Sequence, residues 1–393
     1  MLTTLYKSFW KDEYWFPPGY TWADLEDSDG ITYPHPKDLL TAIPLIFVLL
    51  IFRFILERAI GLPLSKVLGV RDTLRIKVTP NPILESFFQT RSKNPKKDEL
   101  GHLASQCNLS VRQAERWFRC RRNQERPLLT KKFTESFWKF SFYSCSFFGG
   151  LFTLYNETWF SQPETTWIGY PKQPLQFAIK WWYILEFSFY LSLILTLCFD
   201  VKRKDFKEQV IHHFMAIILL SYSYSANIVR IGVQVLLLHN VSDIFLELGK
   251  MLSYAGWRIT RDVLFIIFSL VFLISRLIVF PYKVFYISYH IFKKNNQFFF
   301  GYYFGNAFLL VVMCLNIFWS VLIVKMFLKL LLEGQFKCDV RSDVEEEEDD
   351  MSDEKLTKSQ RSNGRLQLSR VTDVRARVVR GTDQLASEAV PMT

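Results

Sequence analysis

Seven largely apolar stretches, most of about 20 residues, punctuate this 393-residue chain, and segments of that kind have few ways to fold. A helix needs roughly 20 such residues to cross the hydrocarbon core of a bilayer, and lipid offers the backbone no hydrogen-bond partners outside a helix or a closed barrel. The stretches fall at residues 39–56, 138–155, 175–199, 210–229, 231–250, 263–284 and 302–330. They predict an all-α integral membrane protein with about seven transmembrane helices. The 50% hydrophobic content alone would not establish this, because a large soluble protein approaches it. The 37 Phe, 17 Tyr and 11 Trp agree with it, since rings face lipid or anchor at headgroups. The first 37 residues are polar and acidic, so 39–56 reads as a span and not as a cleaved leader, with Arg53 expected to snorkel to the surface.

Charge sets the orientation. Residues 57–137 carry 17 Lys and Arg against 8 Asp and Glu, which puts this block in the cytosol and the N-terminus outside. Lys202, Arg203, Lys204 and Lys207, and later Lys250, Arg258 and Arg261, agree, whereas Lys293 and Lys294 fall in a loop assigned to the outside. The expected segments are an outer N-terminal segment 1–38, a first span 39–56, a cytosolic basic region 57–137, a membrane bundle 138–330 and an acidic cytosolic tail 331–393. The turn near Ile228 to Gly232 must be very tight. Asn156 opens an Asn-Glu-Thr glycosylation pattern in an outer loop. Trp and Tyr rings among the first 37 residues are expected on the membrane surface. The six cysteines have no metal-like spacing and argue against a disulfide framework.

Within the basic region, Ser110 to Asn123 reads as a capped helix, with Gln113 completing a capping box. The segment resembles the recognition helix of a homeodomain, and Leu103, Ala104, Cys107 and Leu109 supply apolar positions for a preceding helix and turn. Trp117 and Phe118 suit the core of a small module; Arg116, Arg119, Arg121, Arg122 and Arg126 suit a surface facing anionic headgroups. Cys120 stands where a homeodomain asparagine reads adenine, so DNA binding is not expected. No first homeodomain helix is evident between Arg71 and Lys97.

Ionisable residues inside a span are costly and point to function. His212 and His213 lie near the start of the fourth stretch; His239, Asp243 and Glu247 recur on one face of the fifth. Adjacent histidines diverge by about 100°, so one can meet reactants while the other faces a neighbouring helix. An imidazole with Asp243 would serve transfer chemistry on a lipid-soluble substrate. Polar packing between helices and a metal site built from His212, His213, His239, Asp243 and Glu247 are the other readings, the metal being disfavoured because adjacent histidines splay apart. Glu186 is a further pocket candidate, with pairing to another helix as its alternative. Arg230 and Lys250 suit anchors at the two interfaces.

Tyr170 to Leu175, Phe199 to Phe206, the His212-His213 pair, Asn227, Arg230, Gly232 and His239-Asn240-Val241-Ser242-Asp243 together resemble the Lag1 region of ceramide synthases, in the TLC-domain group with a Hox-like module. Trp22 with Leu25-Glu26-Asp27 and Asp29-Gly30, and Lys250-Met251 leading to Trp257, agree. The resemblance implies a multi-pass enzyme of the endoplasmic reticulum, N-terminus lumenal, that transfers an acyl chain from acyl-CoA to the amine of sphinganine or sphingosine. It implies His212, His213 and Asp243 as catalytic, no required cofactor and no metal, acyl-CoA as cosubstrate, contact with membrane lipids, and homo- or hetero-dimers with related synthases. His239, Asn240, Glu247, Glu186 and Arg230 are supporting candidates. Asn240 replaces the aspartate the family usually carries and cannot take a proton. Direct amine attack with a histidine base and an acyl-imidazole intermediate both remain open. A loop between the last two spans, here Tyr286 to Phe299, is expected to influence acyl length. The tail at Asp339 to Asp343 is similar to that of enzymes using long or very long chains; Ser342 and Ser352, among acidic residues, resemble kinase sites. The competing class is a non-catalytic lipid-binding, sensing or transport protein of the same TLC group.

Overall fold

The computed structural model describes residues 2–333, apart from 29, 73, 74, 76, 296 and 297. Asp29, the Asp339 to Asp343 motif, Ser342, Ser352 and the tail from residue 334 lie outside the described residues. The described chain is helical, with no strand and one isolated bridge between Ser28 and Ile31. Ten main helices are labelled α1 (Pro36–Val67), α2 (Pro82–Thr90), α3 (Lys97–Gln106), α4 (Val111–Glu125), α5 (Leu129–Leu154), α6 (Phe177–Thr196), α7 (Phe206–Ser225), α8 (Val229–Tyr254), α9 (Arg258–Lys293) and α10 (Phe300–Glu333).

Five of these, α1, α6, α8, α9 and α10, are long and apolar enough to cross a membrane by length and composition. The other two members of the bundle, α5 and α7, have 26 and 20 residues but dilute their apolar positions with Ser, Tyr and His. Helix α8 packs on α5 and α9, α6 on α1 and α7, and α7 on α10. Close approach is set at Gly150 of α5, where an added Cβ would lie 2.9 Å from the Trp182 ring and 3.0 Å from Leu237. The indole of Trp182 donates to the Ser146 carbonyl at 2.9 Å, tying α6 to α5 across the same contact.

Several expectations change. The α7–α8 turn is centred on Ala226 to Ile228, and Asn227 takes it at φ 54°. Asparagine tolerates that left-handed backbone, and its amide donates to the Pro171 and Gln173 carbonyls at 2.6 and 3.0 Å. Arg230 therefore opens α8 instead of closing the helix before it. Residues 286–299 are mostly helical, because α9 runs on through wide π turns at Ile274–Val279 and Pro281–Tyr286 into the helical turn Ile287–Asn295. The missing N–H of Pro281 is absorbed at the start of the second wide turn. Arg53 does not snorkel: it pairs with Asp200 at 2.7 Å and Glu57 at 2.7 Å and is largely buried.

The basic region contains the first helix that its sequence conceals. Asn81 caps α2, accepting from the Ile83 and Leu84 amides at 3.1 and 3.2 Å, and Pro82 occupies the first position. Leu84, Phe87 and Phe88 then pack against Leu100, Leu103, Trp117 and Phe118 in one core. Arg121 is drawn back onto α2, donating to both Glu85 oxygens at 2.9 Å, and this pairing holds the Glu85 carboxyl below its usual range. Cys120 is buried. Rings of the N-terminal segment gather into a cluster. Trp10 stacks on Trp15, Trp22 meets Trp10 edge-on and donates to the Trp10 carbonyl at 2.9 Å, and the cluster packs against Tyr222 and Phe304.

Candidate active site

Helix α7 begins at Phe206, which puts His212 and His213 about 9 to 10 Å along its axis. Their rings diverge as adjacent helical residues must, with centroids 5.9 Å apart. His212 lies parallel to His239 of α8 at 5.9 Å and edge-on to Trp319 of α10 at 5.5 Å. His213 turns instead to Tyr190 of α6 at 6.1 Å. Both Nδ1 atoms are buried without a hydrogen-bond partner. His212 and His239 line an apolar cavity that continues between α7, α8, α9 and α10 to Trp167, Phe292, Phe299 and Gly301. His213 is not in that lining. Its walls are chiefly aliphatic and aromatic, as a lipid chain requires.

The polar face of α8 exists, but its members have separate partners. His239 Nδ1 lies 2.8 Å from the Val235 carbonyl oxygen. Asp243 accepts from Arg276 at 2.8 Å, and no hydrogen bond joins it to either His212 or His213. Glu247 takes Lys250 at 2.5 Å. Arg230 lies 5.3 Å from the centre of the Trp159 ring and donates to the Ile168 carbonyl at 3.5 Å, away from the histidines.

Arg276 is the functional candidate that the sequence reading passed over. Only 3% of its side chain is exposed. The first wide turn of α9 aims it at α8, where it donates to Asp243, to Ser242 Oγ at 2.9 Å, and to the His239 carbonyl at 3.1 Å. A lone arginine in an apolar run is the signal that should have flagged it. Wide helical turns of this kind recur at functional sites.

Glu186 and Asn240 form a second buried group. Asn240 Nδ2 donates to Glu186 Oε1 at 2.6 Å, and Ser146 Oγ donates to the same oxygen. Glu186 Oε2 and Asn240 Oδ1 are left without partners. Glu186 thus pairs across helices, and Asn240 faces α5 and α6 while Asp243 faces α9. No group of three or more His, Cys, Asp or Glu side chains is placed to hold a metal ion among the described residues.

A helical membrane bundle with a histidine of an adjacent pair lining an apolar cavity defines a class of lipid-handling protein, and comparison with known sequences makes it specific. Residues 132–325 match the TLC domain family model, and residues 76–127 match the homeodomain model, which covers α2 as well as α4. The chain is 53% identical to human ceramide synthase 4 (Homo sapiens) over 346 residues, 88% of each chain. It is 49% identical to the mouse (Mus musculus) ceramide synthase 4 over 94% of each chain, and 45% identical to human ceramide synthase 3 over 88% of this chain and 90% of that protein. This chain belongs to the ceramide synthase family.

Proposed function

We propose that this chain is a sphingoid-base N-acyltransferase, moving an acyl group from acyl-CoA to the amine of sphinganine or sphingosine to form dihydroceramide or ceramide. Its place in an enzyme family argues against the non-catalytic alternative. The observation that carries the reading is His212 at one end of an apolar cavity, with Arg276 and Asp243 held on the neighbouring α8–α9 contact. A fatty acyl chain in the cavity would leave its thioester beside the imidazole.

His212 is the reacting histidine in this reading, and His213 positions it from the α6 side. By direct attack, the amine displaces the CoA thiolate while His212 takes its proton. By the covalent route, His212 attacks the thioester, releases CoA, and the amine then cleaves the acyl-imidazole. Incubation with acyl-CoA alone followed by trapping decides between them. Arg276 spends its donors on Asp243, Ser242, Asn316 and the His239 carbonyl, so its part is to hold α9 against the His239 turn of α8 that faces His212. The chain's own residues carry out the chemistry, with acyl-CoA as cosubstrate and no resident cofactor or metal.

The arrangement in the membrane belongs to the same reading. Helices α5 and α7 cross with the other five, giving seven spans, with the N-terminus lumenal and the homeodomain-like module and tail cytosolic, in the endoplasmic reticulum. Lys202, Arg203 and Lys204 just before α7, and Lys207 in its first turn, then lie where CoA phosphates approach. The module's arginines lie near anionic headgroups, with no DNA partner. Asn156 is exposed and would be the lumenal glycan site. Ser342 and Ser352 would be phosphorylated in the cytosol, and the chain would pair with itself or a related synthase. Reconstituted with acyl-CoA and sphinganine, the protein is expected to release dihydroceramide in a manner dependent on His212; absence of product across acyl lengths would overturn the reading.

A further inference from the structure

The cavity runs from His212 along α7 to Tyr222. From His212 to Tyr222, α7 rises about 15 Å, close to half of a hydrocarbon core of roughly 30 Å. Tyr222 is buried there and lines the cavity with Gly301 and Gly305 of α10. The fit around its ring is tight. A Cβ at Gly305 would sit 3.1 Å from Tyr222 Cε1, and one at Gly301 would overlap the Tyr222 hydroxyl and lie 2.7 Å from the Tyr14 carbonyl oxygen. Behind the ring, Trp15 of the N-terminal segment packs at 5.6 Å and Phe304 at 5.1 Å. Trp15 is fixed in turn by its indole hydrogen bond to the Phe9 carbonyl at 2.8 Å and by its stack on Trp10.

The Tyr222 hydroxyl is buried without a hydrogen-bond partner. A polar group in that position costs stability, so the ring and not its oxygen is what the site uses. We infer that Tyr222, clamped between Trp15 and the glycine face of α10, is the end wall of the acyl-chain pocket and sets the longest chain this enzyme accepts. The inference rests on the reading of the cavity as an acyl pocket. It makes the N-terminal segment part of the specificity apparatus, although that segment is remote from the histidines in sequence and in space.

The test is the acyl-length profile of the full chain in reconstituted membranes, using sphinganine and saturated acyl-CoAs that increase by two carbons. Each methylene newly accommodated is worth about fourfold. Tyr222→Ala is expected to raise the ratio of kcat/KM for the first rejected chain to that for the preferred chain by roughly fifteenfold. Trp15→Ala, which removes the backing alone, is expected to shift the ratio in the same direction by less, and Tyr222→Phe is expected to keep the native profile. Tyr222→Leu, which retains a large apolar side chain, decides the matter if the alanine variant does not fold. An unchanged profile in a variant that still makes dihydroceramide from the preferred acyl-CoA overturns the inference and leaves the enzyme reading intact. A shift in the phenylalanine variant as large as that in the alanine or leucine variant also overturns it. No dihydroceramide from the native chain with any acyl-CoA overturns the enzyme reading itself.

Discussion

At the scale of single residues, the site rests on a few buried polar side chains whose partners determine what each substitution does. Removing Arg276 leaves the Asp243 carboxylate buried without its ion-pair partner, so Arg276→Ala is expected to cost about 3 kcal/mol of stability and to abolish ceramide formation, with Arg276→Lys recovering only part of either. Thermal unfolding in detergent and turnover of the reconstituted protein measure the two effects. Asn240→Asp would restore the usual family residue. Asn240 donates to Glu186, and an aspartate would set two carboxyls face to face, which must share one proton. A fall of roughly tenfold in rate, about 1.4 kcal/mol, is expected, with recovery in the Glu186→Gln, Asn240→Asp double variant. The histidine pair, Asp243 and the polar face of α8 were legible because periodicity and the cost of burial announce them. Their pairing was not, because which helix faces Asp243 depends on packing between segments far apart in the chain. Arg276 sits 33 residues beyond its partner, in a run whose apolar character hid it.

At the scale of elements, close approach and local ties decide which helices hold together. Gly150 leaves room for Trp182 and Leu237 where α5 meets α6 and α8, so Gly150→Val is expected to destabilise by about 1–3 kcal/mol and lower Tm in detergent. Lys172 holds Asp24 with an ion pair of 2.7 Å and keeps that carboxyl down at about 2. A depressed carboxyl contributes stability above its ordinary value of 3.8 and loses it as the pH falls through about 2. Protease protection of the N-terminal segment should therefore weaken between those two values, and less so in Lys172→Ala, where the tie is already gone. Salt should mimic the mutation, because both groups are exposed. Elements with strong caps or clean apolar runs could be read from the sequence. The first homeodomain helix could not: α2 is only nine residues long, and its apolar residues acquire meaning from the Trp117 and Phe118 they meet.

At the scale of the whole molecule, much of α1 is left open to its surroundings, with 17% of its apolar window buried, and a polar tie fixes one end. Arg53 joins it to Asp200 beyond α6, while Lys139 of α5 pairs with Glu135 at 2.8 Å nearby. Arg53→Ala is expected to loosen α1 from the bundle and expose it to proteolysis while leaving His212 in place. Fold class was evident from run lengths, because a bilayer allows so few solutions. The depth and closure of the cavity were not, since they depend on the N-terminal segment returning to α7 and α10. The wide turn of α9 has one further consequence. A π turn is what a helix does with one extra residue, so the extra residue is absorbed locally and helical phase is preserved beyond it. Deleting Leu277 would let that turn relax to α spacing, with Val284, Ser288 and Phe292 still facing inward and only Arg276 losing its aim. Pocket shape and the charge at its mouth would then be separable by the loss of a single codon.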